Sequence, residues 1–187
     1  VKDGTIVDLV PAGQPIPGHY QTVDVRGQYL LPGLIDAHVH LAQSGSAFTR
    51  PDMIEATAIQ PYADDQQWLH DHLPELLSSY FSLGVTTVAD MGGPAARLRR
   101  YTNLSQQTGL PNIVAAAELL SPVNVPQLTA KDGKTFLEVN SPKSAAAAVE
   151  QQIQQGAAIV KIVWSQETGL VDAQLTALYQ DAIKTAK

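Results

Sequence analysis

The stretch LLPGLIDAHVHL, from Leu30 to Leu41, constrains the fold of this chain more than any other part of its sequence. A Pro-Gly pair ends the preceding structure, and the apolar run that follows carries Asp36, His38 and His40 at every second position. Since residues two apart in a strand share a face, these three side chains are predicted to point one way and their apolar neighbours the other. The stretch therefore predicts a β-strand with one polar and one apolar face.

Two histidines on one face of such a strand need a partner. A buried parallel strand is nearly all apolar, and a buried polar group is costly unless it is bonded. A divalent metal is one such partner, since imidazole is a common zinc ligand. The alternative is a pair of hydrogen-bonded histidines in a protein core. We interpret His38 and His40 as metal ligands.

The following chain alternates predicted helices and strands. Apolar stripes predict helices at 68–83, 95–108 and 141–155 and a last helix capped by Asp172; short apolar runs predict strands at 85–91, 113–120 and 157–164. Gly84 is predicted to close the first helix, and Ser141 to cap the third. Such alternation indicates parallel βαβ units, in a barrel or in a doubly wound sheet.

Two longer segments, 42–67 and 121–139, are predicted loops, and the first is a candidate substrate wall or lid. His70 and His72 repeat the His-x-His spacing on the first predicted helix. Because positions two apart on a helix do not face each other, this second pair is not predicted to bind metal.

The first 31 residues are turn-rich. Alternating residues predict short strands at 6–10 and 22–25, joined by a loop in which His19 is predicted to be exposed. We interpret residues 1–31 as a segment separate from the βα units of residues 32–187.

Composition excludes several function classes. The chain has a net charge of -6 and no long basic cluster, which argues against a nucleic-acid partner. We interpret Arg97, Arg99 and Arg100 as a solvated helix face. No apolar stretch is long enough to span a bilayer and no signal peptide is visible, so we expect a cytoplasmic protein without a membrane partner. With no cysteine, a metal site must use His, Asp, Glu or a modified Lys.

The stretch LLPGLIDAHVHL resembles the first barrel strand of the amidohydrolase superfamily, whose His-x-His follows a similar Pro-Gly-Leu-Ile-Asp entry. This resemblance implies an α/β fold, a (β/α)8 TIM-type barrel preceded by a small β-sandwich domain, of which residues 1–31 would be a part. It also implies one or two divalent metals, usually zinc, at the C-terminal ends of the strands. A barrel typically needs about 250 residues, more than the 187 present. We therefore expect the first four βα units of a barrel, truncated at both ends.

Lys161 is a further candidate site residue. It lies within GAAIVKIVW, where its neighbours are apolar, so it either pairs with a carboxylate or has a lowered pKa. This run resembles the fourth barrel strand of amidohydrolases with a carboxylated lysine, particularly the prolidase-like and imidazolonepropionase-related branch. Members of that branch also have a second strand similar to GVTTVADMGG. The resemblance implies that a carboxylated Lys161 bridges two metals.

The chain departs from this pattern in two places. After Ser121-Pro122 it reads Val-Asn-Val where the branch has a Gly-His-rich segment. The resemblance also implies two histidines from strands five and six and a general-base aspartate from strand eight, all of which would lie beyond Lys187. We expect a fragment without those groups.

The predicted activity is hydrolysis of an amide-type C–N bond in a small molecule by a metal-activated water. The metal ligands are His38, His40 and Lys161. Asp36 shares the face of the histidines and is predicted to orient one of them. Asp90 and Glu118 are weaker candidates for the site, and their alternative role is to accept hydrogen bonds from loop amides. Two alternatives remain: a non-catalytic scaffold of the same superfamily, and a half-barrel that completes its sheet as a homo-oligomer.

Overall fold

The computed structural model describes the chain except for Asp3, Pro17, His19, residues 47–55, Thr57 and the side chain of Gln166. The predicted exposure of His19 and the central part of the predicted 42–67 loop lie outside the described residues. The chain divides into two units, Val1–Pro32 and Gly33–Lys187.

The described residues of Val1–Pro32 form no strand, only an isolated bridge between Lys2 and Thr5. The strands predicted at 6–10 and 22–25 are therefore wrong. An alternating pattern becomes a strand only when a neighbour satisfies its backbone, and here the apolar side chains stay exposed, with Leu9 at 83% and Val23 at 75%.

The second unit is built on a parallel sheet. Its strands are β1 (Leu34–Val39), β2 (Val85–Asp90) and β3 (Asn112–Ala115), in the order β1-β2-β3. The helices α1 (Tyr62–Ser82) and α2 (Leu98–Ser105) connect them, and a 3-10 turn at Ala95–Arg97 precedes α2. This arrangement confirms the α/β class and the parallel βαβ units.

The strand predicted at 113–120 is divided. After β3, the strand β4 (Leu119–Ser121) leaves the sheet and pairs in parallel with β7 (Phe136–Glu138). Between them lie a 3-10 turn at Pro126–Leu128 and the antiparallel pair β5 (Thr129–Ala130) and β6 (Gly133–Lys134). The prediction of a loop at 121–139 is thus wrong, because the backbone groups of this segment find partners in small sheets of their own.

Residues 157–163 follow β3 and β4 in parallel, at the position predicted for a fourth strand. They form isolated bridges, Ala116 with Ile159 and Leu120 with Ile162, rather than a continuous ladder. The ladder is interrupted where the carbonyl of Ala117 instead accepts a hydrogen bond from the backbone of Gly93, at 3.1 Å.

Helix ends follow local signals with two exceptions. Gly84, at φ +86°, closes α1 as predicted. However, α1 begins at Tyr62 rather than at residue 68, directly after Pro61 and with Asp64 and Asp65 in its first turn. Acidic groups there favour the helix N-terminus, which an apolar stripe alone does not reveal.

The helix α3 (Pro142–Gln154) has the predicted cap, since the Ser141 hydroxyl accepts from the backbone of Ser144 at 3.2 Å. Asp172 is the first residue of α4 (Asp172–Thr185) and not its cap. Its carboxylate instead accepts a hydrogen bond from the Trp164 indole at 3.0 Å.

Three apolar clusters of described residues hold the second unit together. One lies between the β1-β2-β3 sheet and the helices α1 and α2, and another between β4, α3 and α4. The third and smallest consists of Tyr62, Leu128 and Ala130. In β1, Val39 is buried but Ile35 and Ala37 are exposed, so the predicted apolar face is buried only at its end. The reason is that β1 pairs with β2 alone among the described strands. No helix of the described residues is long and apolar enough to cross a membrane.

Candidate metal centre

The imidazoles of His38 and His40 lie side by side at the C-terminal end of β1. Their ring centroids are 5.3 Å apart and their planes are inclined at 62°. Two imidazoles that share one tetrahedral zinc ion, with Zn–N bonds of about 2.0–2.1 Å, have ring centres roughly 5 Å apart. The pair therefore fits two ligands of one metal ion.

Asp36 contacts the backbone of this pair. Its carboxylate accepts a hydrogen bond from the His38 amide at 3.2 Å. The pairing register of β1 with β2 shifts between Asp36 and Val39, so the strand is irregular in the interval that contains His38. The contact holds the backbone in this irregular stretch.

Asp90 anchors the chain just after His40. Its carboxylate is fully buried at the end of β2 and accepts a hydrogen bond from the Leu41 amide at 2.9 Å. Burial raises the pKa of Asp90 to about 7, against the opposing effect of that hydrogen bond. Its second oxygen, Oδ2, has no partner in the described part of the chain.

Glu118 likewise holds a loop amide. Its carboxylate accepts from the backbone of Ala95 at 3.3 Å, where the 3-10 turn begins. Its own carbonyl accepts from the Gln152 side chain at 2.8 Å. The residue thus connects the segment after β2 with α3.

Lys161 lies half-buried between the two bridges of the fourth strand segment, and its carbonyl accepts from the Leu120 amide at 2.9 Å. Among the described residues no Asp or Glu forms an ion pair with it. The same residues contain no group of three His, Asp or Glu side chains placed to hold a metal. The candidate centre consequently rests on His38, in β1, and His40, directly after it.

The second His-x-His pair, on α1, is used differently. The His72 ring stacks on Trp68 with centroids 4.5 Å apart, and its Nδ1 lies 2.8 Å from the Trp68 carbonyl. His70 instead contacts the Arg100 guanidinium, with 2.7 Å between nitrogen atoms. The two rings have separate partners, which agrees with the helical spacing argument.

A polar network that sequence reasoning missed supports the segment after His40. The Gln66 side chain donates to the Ala42 carbonyl at 2.8 Å and accepts from Arg97 at 2.7 Å. Arg97 also pairs with Asp132 at 2.7 Å, and only 13% of its side chain is exposed. The prediction of a solvated arginine face is therefore wrong for Arg97. No local pattern could reveal this network, because its bonded partners lie 24 to 35 residues apart.

A cavity of about 190 Å³ opens beside His40. The described residues that line it come from the end of β1, the start of α1 and the small sheets: His40, Ala42, Gln43, Tyr62, Gly92, Leu119, Leu128, Thr135 and Phe136. The candidate metal position thus has a pocket next to it.

Comparison with known proteins decides the family. Residues 29–182, most of the chain, match the model of the amidohydrolase family. The chain belongs to the amidohydrolase family. This result confirms the predicted superfamily and, with the parallel sheet, the α/β amidohydrolase fold.

The relatives of this amidohydrolase chain are longer than it is. A dihydroorotase from Desulforapulum autotrophicum is 50% identical over 50 residues, which cover 26% of this chain and 12% of the dihydroorotase. A prolidase solved with N-methylphosphonate-L-proline has a TM-score of 0.60 at 21% identity, covering 91% of this chain and 45% of the prolidase. Another solved amidohydrolase has a TM-score of 0.56 at 18% identity, with 80% and 38% covered. The chain spans less than half of each of these relatives.

Proposed function

We propose that this amidohydrolase chain supplies part of the metal site of a hydrolase that cleaves an amide-type C–N bond in a small molecule. His38 and His40 would hold one divalent ion, for which zinc is the natural choice. The observation that carries the proposal is the 5.3 Å separation of the two imidazoles at the C-terminal end of β1. Ligands of this kind belong at that edge of a parallel sheet.

When bound, a divalent metal polarises an amide carbonyl and lowers the pKa of a water molecule. The surrounding residues set the position of the ligands. Asp36 fixes the backbone at His38, and Asp90 fixes the backbone directly after His40. Both carboxylates restrict the movement of the imidazoles, as outer partners of metal ligands commonly do.

We further propose that Lys161 is carboxylated and contributes an oxygen ligand. Its half-buried position in an apolar segment, without an ion pair in the described part of the chain, supports this assignment. The neutral amine adds to carbon dioxide: a C–N bond forms, a proton leaves to solvent, and an anionic carbamate replaces a cation.

Incorporation of ¹³C-labelled bicarbonate, followed by ¹³C NMR, tests the carbamate. We expect a carbamate signal in the wild type that is absent from Lys161→Met and present in the control Lys184→Met, whose lysine is exposed on α4. A signal that survives in Lys161→Met would contradict the assignment.

We also propose the architecture to which these residues belong. The order β1, β2, β3 and the 157–163 segment, all parallel, supports four neighbouring strands of a (β/α)8 barrel within a longer polypeptide. On this proposal the chain is of the prolidase-like branch, and the remaining ligands and general base come from outside these residues. A small-molecule substrate and self-association stay predictions.

Equilibrium dialysis against zinc with elemental analysis tests the metal site. The wild type should retain zinc, and His38→Asn and His40→Asn should each lower its affinity at least tenfold, since each removes one ligand. His70→Asn and His72→Asn are matched controls with the same spacing on α1 and should bind as the wild type does. Equal zinc content in wild type, His38→Asn and His40→Asn would overturn the proposal.

A further inference from the structure

The cavity beside His40 combines an apolar wall with an unsatisfied polar group. Leu119, Leu128 and Phe136 supply its apolar surface. Thr135 is only 6% exposed, and no polar atom of the described residues is in hydrogen-bonding geometry with its hydroxyl, although the Tyr62 phenol is close enough to interact with it. A buried hydroxyl without a partner is uncommon, because leaving it unbonded costs free energy. Its placement in the wall of a cavity indicates that a ligand or a water molecule supplies the missing bond.

Size limits what can enter. The volume of about 190 Å³ is somewhat larger than the roughly 150 Å³ of an apolar cavity known to accommodate benzene. A phenyl ring or a branched aliphatic side chain fits this space, whereas a folded peptide segment does not. Because His40 also lines the cavity, a group held there is adjacent to the candidate metal position.

Tyr62 adds a second polar group to the pocket. Burial raises the pKa of its phenol, so the hydroxyl stays protonated at neutral pH and can donate a hydrogen bond. Together with Thr135 it places neutral donors in a space whose lining also includes His40, Gln43 and the apolar side chains. This combination suits an uncharged apolar group that carries or adjoins a carbonyl oxygen, and the described residues that line the cavity include no Lys or Arg to pair with a carboxylate.

We propose that this cavity is the specificity pocket of the site: it binds the medium-sized apolar side group of the amide substrate, with the Thr135 hydroxyl donating to an acceptor of that substrate. The inference rests on the proposed function for its catalytic meaning, but the binding itself does not require metal. Thr135 and Leu128 thereby become specificity residues that no sequence pattern singled out.

Binding of N-acetyl-L-phenylalaninamide and N-acetylglycinamide to the full chain tests the pocket. Amide chemical shifts of Gly92 and Thr135 are followed by NMR, with zinc and with a chelator. We expect the phenylalanine probe to bind at least tenfold more tightly than the glycine probe in both states. Equal affinity of the two probes, or shifts that leave Gly92 and Thr135 unchanged, would overturn the proposal.

Variants of Thr135 distinguish the contribution of its hydroxyl to binding from the contribution of the cavity's shape. Thr135→Val keeps the shape of the side chain and removes the donor, and it should lower the affinity for the phenylalanine probe about fivefold. Thr135→Ser retains the donor, and its affinity for the phenylalanine probe should stay within about twofold of the wild-type value. Thr102→Val, on α2, controls for the exchange itself, and thermal unfolding of each variant checks folding. Unchanged affinity in Thr135→Val means that water occupies the position and contradicts the proposed contact.

The two proposals fail separately. If dialysis shows no zinc at His38 and His40 while the phenylalanine probe still binds, the metal site is wrong and the pocket stands. If zinc binds and the probes do not discriminate, the pocket is wrong and the metal site stands.

Discussion

At the scale of single residues, Asp90 shows how burial changes protonation. Its carboxyl group is enclosed at the end of β2, and its pKa rises from an ordinary 3.8 to about 7. The folded chain therefore binds this proton more tightly than the unfolded chain does. The contribution of Asp90 to the free energy of unfolding is therefore fully present below about pH 4 and is lost as the pH rises through 7.

Asp90→Asn tests this titration. Asparagine keeps an oxygen acceptor for the Leu41 amide but cannot ionise. Between pH 4 and pH 8 the wild type should lose up to about 4 kcal/mol of unfolding free energy that the variant retains, measured by urea denaturation. Parallel stability curves for the two proteins would show that Asp90 ionises normally.

At the scale of elements, the Pro-Gly entry to β1 has a steric cause. A Cβ added at Gly33 would lie 2.1 Å from the Thr86 Oγ1 and 2.4 Å from its Cγ2, on the adjacent strand β2. Such distances are far below van der Waals contact. Glycine is thus required where the two strands begin to pair, which gives a physical reason for part of the motif.

Gly33→Ala should accordingly destabilise the chain by about 1–3 kcal/mol in urea denaturation. Adding Thr86→Ala should recover part of this loss, because it removes the two closest atoms. Gly18→Ala is the control, since nothing lies within 4 Å of a Cβ there. A loss that Thr86→Ala does not reduce would mean that backbone strain, and not this contact, is responsible.

Elements with local signals could be predicted from the sequence. The strand β1 follows from its alternation, the end of α1 from Gly84, and the start of α3 from Ser141 and Pro142. Elements defined by distant partners could not. The β4–β7 pairing joins Leu119 to Phe136, and local patterning predicted a loop there.

The same distinction applies to the candidate site. The spacing of His38 and His40 identified the pair, because a strand places residues two apart on one face. The Arg97–Asp132 ion pair and the cavity near Thr135 depend on long-range packing, so periodicity carried no signal for them. The strands predicted at 6–10 and 22–25 show the converse error, since alternation without a pairing partner produced no strand.

At the scale of the whole molecule, a parallel amidohydrolase sheet carries the proposed two-histidine metal site at the C-terminal end of β1. The family and the fold follow from the match over residues 29–182 and from the order β1-β2-β3. The central claim is narrower: His38 and His40 bind the same ion. It can be tested without knowledge of the substrate or of any further metal ligand.

X-ray absorption at the zinc edge tests that claim most directly. The zinc-loaded wild type should show two imidazole nitrogens at about 2.0–2.1 Å, and this imidazole scattering should disappear in the double variant His38→Asn/His40→Asn. Zinc without imidazole ligands in the wild type, or the same imidazole scattering in the double variant, would contradict the account.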